Sequence, residues 1–186
     1  MEKLFLVVMA MVFTMPFFTG HTAEAAAKGR ILLVASSQQT MALKNGTKMD
    51  VGFYLNELAV PAQYLAKQGY EIIMATPSGA RPVMDASSNS AKFFGGSEAE
   101  RAQAQAFTEK LPVISLKKAN EELAHFDAIF IPGGHAPMTD LMQDEELGNA
   151  LRYFHKQGKP TAAICHGPVA LLAALPQAAA FRQTIA

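Results

Sequence analysis

The hydrophobic residues of this chain form two patterns that alternate from residue 30 onwards. Short unbroken apolar runs, typical of strands that are covered on both faces, predict four strands. These cover residues 30–35, 71–75, 127–131 and 161–164. Between them, apolar residues recur every three or four positions, as they do on the buried face of a helix. Strands that alternate with helices predict an α/β fold, with a mostly parallel sheet between two helical layers.

Helix boundaries are indicated by residues that stop or cap helices. One helix is predicted to end at Gly69, and a second to begin after Ser97, whose hydroxyl can cap it. A third is predicted over residues 140–157. Residues 36–50 are polar around an Asn-Gly pair and predict a loop or turn, and residues 80–96, rich in Ser, Pro and Gly, predict a long surface segment.

The last predicted strand, expected to be buried, leads into the only cysteine of the chain, Cys165. Ala163 and Gly167, two residues before and two after it, are as small as a sharp strand-to-helix bend requires, and such a bend presents the nucleophile in many hydrolases. Pro168 suits the first turn of the apolar helix expected to follow, whose positive end would favour the thiolate over the thiol. The pattern alone leaves a buried structural cysteine equally open.

The carboxyl ends of parallel strands gather the reactive groups of an α/β fold. Three loops are predicted to meet there: the one after the first strand, the Pro-Gly-Gly-His turn at residues 132–135, and the bend at Cys165. Backbone N–H groups of Gly133 and Gly134 could face the sulfur and, with that of His166, stabilise an oxyanion. The alternative for the two glycines is a simple tight turn.

Two polar residues near the predicted bend allow opposite interpretations. His166 is either an acid–base partner of the cysteine or a helix-start residue that points to solvent. Glu57 would be a solvated charge opposite the apolar stripe if one helix ran unbroken through it. Because Pro61 fits the first turn of a helix, the regular helix can instead begin near residues 58–61, leaving Glu57 on the segment before it. Periodicity favours the exposed position for Glu57.

Composition narrows the function classes. The chain has 186 residues, 50% of them hydrophobic, and no net charge, which fits one α/β domain with a substantial core. The absence of a Lys/Arg run argues against nucleic-acid binding through a basic patch. Its 5 histidines lack paired ligand spacing, and no glycine pattern matches a phosphate loop, so neither a metal site nor a bound cofactor is predicted.

The N-terminus has the pattern of a secretory signal peptide. Lys3 precedes a short apolar run, and the small residues around Ala25 and Ala27 offer cleavage sites. Residues 1–27 are therefore predicted to be removed, leaving a domain of residues 28–186 in the periplasm or outside the cell with no stable membrane insertion. An uncleaved membrane anchor is the weaker alternative, because the apolar run is short and contains a proline.

Two motifs resemble the DJ-1/PfpI superfamily, also called class I glutamine amidotransferase-like. They are Ala-Ile-Cys-His-Gly-Pro at residues 163–168 and Phe-Ile-Pro-Gly-Gly-His at residues 130–135. Segments similar to its heat-shock chaperone and glyoxalase III branch lie at residues 52–61, 69–71, 75–79, 82–85 and 135–141. The resemblance covers nearly all of the predicted mature chain and implies a flavodoxin-like three-layer sandwich with a mostly parallel sheet.

The resemblance also implies roles for particular residues. Cys165 would be the reactive group, His166 its catalytic partner, and Glu57 the acid hydrogen-bonded near the sulfur. Backbone N–H groups of Gly134 and His166 would form the oxyanion hole, and Gly133 and His135 would contact the substrate. The leading expectation is a glutathione-independent, glyoxalase III-like enzyme that converts small 2-oxoaldehydes such as methylglyoxal to 2-hydroxy acids without metal or cofactor.

Two further functions stay open. One is a non-catalytic stress protein, in which Cys165 senses oxidation and an exposed apolar surface binds unfolded client proteins. The other is hydrolysis or amide transfer, as in the peptidase and amidotransferase relatives.

The resemblance has two departures. Many relatives have glycine at the position of Ala136. The family usually continues with further strands, whereas this sequence stops at Ala186. We therefore expect a truncated domain or a sheet without its edge elements. An open sheet edge favours association, and a homodimer, common in the family, could cover it.

Overall fold

A five-stranded parallel sheet forms the centre of the computed structural model, which describes residues 27–176. In spatial order the strands are β5 (Val113–Ser115), β4 (Tyr70–Thr76), β1 (Gly29–Val34), β6 (Ala128–Ile131) and β7 (Thr161–Ala163). Every neighbouring pair is parallel. The predicted signal peptide, except for Ala27, lies outside the described residues.

Helices cover both faces of this sheet. They are α1 (Leu55–Lys67), α2 (Glu98–Lys110), α3 (Leu116–Asn120) and α4 (Glu145–Lys156). Alternate residues of β1 enter two separate cores: Leu32 and Val34 pack with α3 and α4, and Ile31 and Leu33 pack with α1 and α2. The predicted flavodoxin-like three-layer sandwich is thus confirmed. Within residues 27–176, no helix has the length and apolar character needed to span a bilayer.

Two short pairings were not predicted. The three residues of β5 are half-buried, and such a short segment carries no readable periodicity. Residues 36–50, predicted as a loop or turn, contain an antiparallel hairpin of β2 (Thr40–Ala42) and β3 (Lys48–Asp50). Each of its strands has one half-buried residue between two exposed ones. The hairpin therefore has no hydrophobic pattern from which the sequence could predict it.

The alternative in which the regular part of α1 begins near residues 58–61 is wrong. The helix begins at Leu55 and continues through Pro61. Proline costs a helix the hydrogen bond of its missing N–H, but the first turn is secured by Leu55 and Leu58, both fully buried. Glu57 is therefore a residue of the first helical turn.

The ends of two other helices show what caps them. Ser97 caps α2 as predicted, because its hydroxyl accepts a hydrogen bond from the Glu100 N–H at 3.2 Å. The helix predicted over residues 140–157 begins later, at Glu145, because the Asp144 carboxylate accepts from the Leu147 N–H at 2.7 Å.

The region around the predicted bend differs from expectation in two ways. Instead of a buried strand, β7 is an edge strand whose Thr161 and Ala162 are exposed and whose Ala163 is half-buried. Within residues 27–176 it has a neighbour, β6, on one side only. The helix after the bend has 3-10 geometry over Gly167–Ala174.

Candidate active site

Cys165 lies on a strained turn just after β7. Its φ of 58° makes it the only non-glycine residue with a positive φ among residues 27–176. This conformation costs an L-residue about 1–2 kcal/mol, and such strain concentrates at functional sites. The cysteine is exposed, so the alternative of a buried structural cysteine does not hold.

The end of β6 holds this turn in place. Ile164 donates its N–H to the Ile131 carbonyl at 3.2 Å, and Gly167 donates to the Ile164 carbonyl at 2.8 Å. A Cβ atom on Gly167 would collide with the Ile131 carbonyl oxygen. The bend therefore requires glycine at this position because of β6, rather than because of Ala163 as the sequence pattern suggested.

His166 turns back toward the cysteine that precedes it. Its Nδ1 lies 3.4 Å from Cys165 Sγ, within hydrogen-bond range for sulfur. Side chains of adjacent residues on a sharp turn usually diverge, but the left-handed conformation of Cys165 brings these two together. A ring nitrogen at this distance can exchange a proton with the thiol.

The predicted Gly-Gly turn packs directly against Cys165. A Cβ atom on Gly133 would lie 2.5 Å from Cys165 Cβ and 2.9 Å from the His166 nitrogen, closer than real Cβ atoms approach other atoms. Gly134 has a φ of 91° and is pressed against the backbone of Gly52 and Phe53. The two glycines thus let one backbone pass between the start of α1 and the cysteine turn.

Glu57 belongs to the same cluster. The position that a Cβ atom of Gly133 would take is 2.5 Å from Glu57 Oε2 and also 2.5 Å from Cys165 Cβ. Glu57 Oε2 and Cys165 Cβ are therefore separated by at most twice 2.5 Å. Oε2 is buried and has no hydrogen-bond partner among the described residues. The expectation of a solvated charge on an unbroken helix is wrong, because the turn at Gly133 covers this face of α1.

His135 extends the site away from the cysteine. Its ring centroid is 5.2 Å from that of His166, and its Nδ1 is 3.4 Å from Asp85 Oδ2. The Asp85 carboxylate also accepts hydrogen bonds from the Ser87 N–H at 2.9 Å and the Ser87 hydroxyl at 2.7 Å. The Tyr54 hydroxyl lies 3.0 Å from that of Ser87.

Opposing effects act on the pKa of Asp85. Burial raises it, but the hydrogen bonds from Ser87 and the contact with His135 together outweigh burial and bring the pKa below its ordinary value. We did not predict Asp85, Ser87 or Tyr54 as site residues, although Asp85 lies in a segment that carried the family resemblance. Only the fold brings Asp85 to His135, from 50 residues away in sequence.

The third predicted loop makes different contacts. After β1, Ser37 donates its N–H to Asp140 Oδ2 at 3.2 Å, so its polar contact is with Asp140 rather than with the cysteine. Burial raises the pKa of the Asp140 carboxyl, and hydrogen bonds from Ser36 and Ser37 only partly offset this. Two of the three loops therefore build the cysteine site, and the third braces the segment that follows the Gly-Gly turn.

No three His, Cys, Asp or Glu side chains within residues 27–176 are grouped so that they could hold a metal ion. The arrangement around Cys165 instead combines a thiol, an imidazole and a carboxylate with backbone from a glycine turn. Such a set can carry out nucleophilic attack on a carbonyl carbon followed by proton transfer.

Comparison with known proteins identifies relatives of this chain. The sequence profile of the DJ-1/PfpI family matches residues 49–177. The glutathione-independent glyoxalase hsp3101 of Schizosaccharomyces pombe is 32% identical over an alignment of 152 residues; the match covers 78% of this chain and 59% of that protein. The protein/nucleic acid deglycase HchA of Escherichia coli O157:H7 is 29% identical over an alignment of 154 residues; the match covers 78% of this chain and 52% of HchA.

Solved structures show the same architecture. The crystal structure of glyoxalase III from Candida albicans superposes with a TM-score of 0.56 at 23% identity, covering 76% of this chain and 59% of that one. At this identity the likeness shows the fold alone. The chain thus spans between half and three-fifths of the length of the relatives that it matches.

Proposed function

This chain belongs to the DJ-1/PfpI family, and on that premise we propose that it is a cysteine-dependent enzyme that converts small 2-oxoaldehydes to 2-hydroxy acids. One observation carries the proposal. An exposed thiol on a left-handed residue lies 3.4 Å from an imidazole nitrogen, and a buried carboxylate oxygen, which has no hydrogen-bond partner within residues 27–176, lies beside the same turn. The names of the relatives, a glyoxalase and a deglycase, support chemistry on reactive carbonyl compounds.

In the first step, the Cys165 thiolate attacks the aldehyde carbon of the substrate and forms a hemithioacetal. His166 Nδ1 takes up the thiol proton. The negative charge that develops on the aldehyde oxygen is stabilised by the backbone N–H groups of Gly134 and His166. Gly133 makes this possible, because any side chain there would collide with Cys165 Cβ and the His166 nitrogen.

In the second step, Glu57 removes the proton from the former aldehyde carbon, and the neighbouring carbonyl carbon receives a proton in its place. The carbon bound to sulfur is thereby oxidised and its neighbour reduced, which gives a thioester of a 2-hydroxy acid. Water then hydrolyses the thioester and releases the acid and the free Cys165 thiol. The net reaction adds one water molecule, and no external oxidant or reductant is consumed.

The experiment is to measure consumption of methylglyoxal and formation of lactate by the parent chain and by Cys165→Ala. We expect complete loss of turnover in the variant, because no other thiol exists in the chain. Cys165→Gly serves as a second variant, since glycine accepts the φ of 58° without strain. Circular dichroism should show that both variants are folded, and turnover that survived in either folded variant would rule out the proposed reaction.

A second candidate is a stress protein that binds unfolded clients and senses oxidation through Cys165. It is supported by large apolar side chains that are exposed in the segment around and after the cysteine turn: Ile164 at 42%, Leu171 at 45% and Leu175 at 43% of their surface. Protection of a heat-denatured client from aggregation tests this function. Protection that persists in Cys165→Ala, in a protein without methylglyoxal turnover, would favour client binding over catalysis.

A further inference from the structure

A carboxylate–histidine pair lies beside the cysteine–histidine pair. Asp85 Oδ2 is 3.4 Å from His135 Nδ1, and the His135 ring lies at 34° to the ring of His166, with centroids 5.2 Å apart. His135 therefore connects Asp85 to the residues that we propose for catalysis. No step of the reaction described above uses either of them.

The surroundings of Asp85 determine the charge and the orientation of its carboxylate. The residue is 8% exposed, and its Oδ1 is taken up by the N–H and hydroxyl of Ser87, which leaves Oδ2 for His135. Because the pKa of this carboxyl lies below its ordinary value, it is ionised at neutral pH and can only accept hydrogen bonds. The ring nitrogen that faces Oδ2 must then carry a proton.

We propose that Asp85 is a positioning residue for the Cys165 site. By accepting the Nδ1–H of His135, it holds that ring in one tautomer and one orientation. In the neutral ring, Nε2 is then an acceptor available to the hydroxyl of a substrate bound to Cys165. This role rests on the proposed 2-oxoaldehyde chemistry, but the tautomer of His135 does not.

Three elements place titratable groups against His135. Asp85 comes from the loop after β4, Tyr54 from the start of α1 with its ring centroid 6.4 Å away, and His166 from the cysteine turn. His166 Nδ1 in turn lies 3.4 Å from Cys165 Sγ. Tyr54 is itself tied to the serine that holds Asp85, so the pair is braced from the α1 side as well.

Asp85→Asn separates positioning from folding. Asparagine keeps a side-chain oxygen for Ser87 and replaces Oδ2 with an amide NH₂, which donates to His135 instead of accepting. The imidazole must then carry its proton on Nε2. Long-range ¹H–¹⁵N spectra of the histidine rings distinguish the two tautomers, and loss of one signal set in His135→Gln assigns His135.

We expect the Nδ1–H tautomer in the parent and the Nε2–H tautomer in Asp85→Asn. The kcat for methylglyoxal should fall at least about tenfold. Mere structural damage would lower the rate without switching the tautomer of His135.

Asp144→Asn is the matched control, because Asp144 also caps a helical segment but contacts Leu147 rather than the site. It should change neither the His135 tautomer nor kcat. An unchanged His135 tautomer in Asp85→Asn would overturn the proposal, as would a switched tautomer with unaltered kcat. If the parent chain showed no turnover, only the proposed function would be ruled out. The spectra would still show whether Asp85 determines the tautomer of His135.

Discussion

At the scale of single residues, the site depends on the absence of side chains as much as on their presence. Gly133 separates Cys165, Glu57 and the His166 nitrogen, and the contact distances there leave no room for a Cβ atom. Its φ is not positive, so glycine is required here for space and not for backbone conformation. The glycine therefore sets how closely the carboxylate approaches the cysteine.

Gly133→Ala is expected to reduce methylglyoxal turnover by at least about a hundredfold, because an added methyl group displaces the cysteine or the carboxylate. The free energy of unfolding should fall by about 1–3 kcal/mol from overpacking. Turnover assays and urea denaturation measure the two effects.

The matched control for this substitution is Gly95→Ala. A Cβ there meets no atom within 4 Å, and the residue carries only the cost of its φ of 61°. It should lose about 1 kcal/mol of stability and keep its activity. Equal loss of turnover in the two variants would show that the lack of space for a Cβ atom at Gly133 does not explain the loss of activity.

At the scale of elements, the 3-10 helix after Cys165 is anchored on α4. Gly148 of α4 lies so close to the Ala173 carbonyl oxygen that a Cβ atom would collide with it. Arg152, one helical turn further on, donates a hydrogen bond to the Ala174 carbonyl at 3.1 Å. The contact with α4 thus positions the segment that begins directly behind the cysteine turn.

Gly148→Ala should push the 3-10 helix away from α4 and lower the free energy of unfolding by about 1–3 kcal/mol, although alanine is the better helix former. Thermal or urea denaturation measures this loss. His155→Ala, at an exposed position near the end of α4, should change stability by no more than about 0.5 kcal/mol. If Gly148→Ala were as stable as the parent, the close approach of the two helices would have no energetic importance.

At the scale of the whole molecule, the β7 edge of the sheet is exposed in the part of the chain that the structure describes. Within residues 27–176, β7 lacks a second neighbour, its Thr161 and Ala162 are exposed, and Ile164 next to it is also exposed. Unpaired strand edges pair readily with other chains.

We expect the purified chain to associate with itself as its concentration rises, and Ala162→Lys to reduce this association, because a charged side chain on an edge strand opposes pairing. Light scattering over a range of concentrations measures both. Ala102→Lys adds the same charge at an exposed position of α2 and should leave association unchanged. A parent that stays monomeric throughout would contradict the prediction.

Structural features that depend on residues close together in the sequence could be predicted from it. Contacts between residues far apart in the sequence could not. The bend at Cys165 was predictable because small residues and a proline flank it. Periodicity did not predict the position of Glu57, because the covering turn at Gly133 comes from another part of the chain. Only the family resemblance implied that Glu57 lies near the sulfur. Asp85 gave no local sign of its contact with His135, and the exposure of β7 depends on which strands lie beside it.

The exposed position of Cys165 also has a practical use. Because no second sulfhydryl exists anywhere in the sequence, a maleimide dye or nitroxide would attach at one known point without prior mutagenesis. Signal from that probe would report crowding around the turn directly, and immobilisation through the same atom would present every molecule to a surface in one orientation.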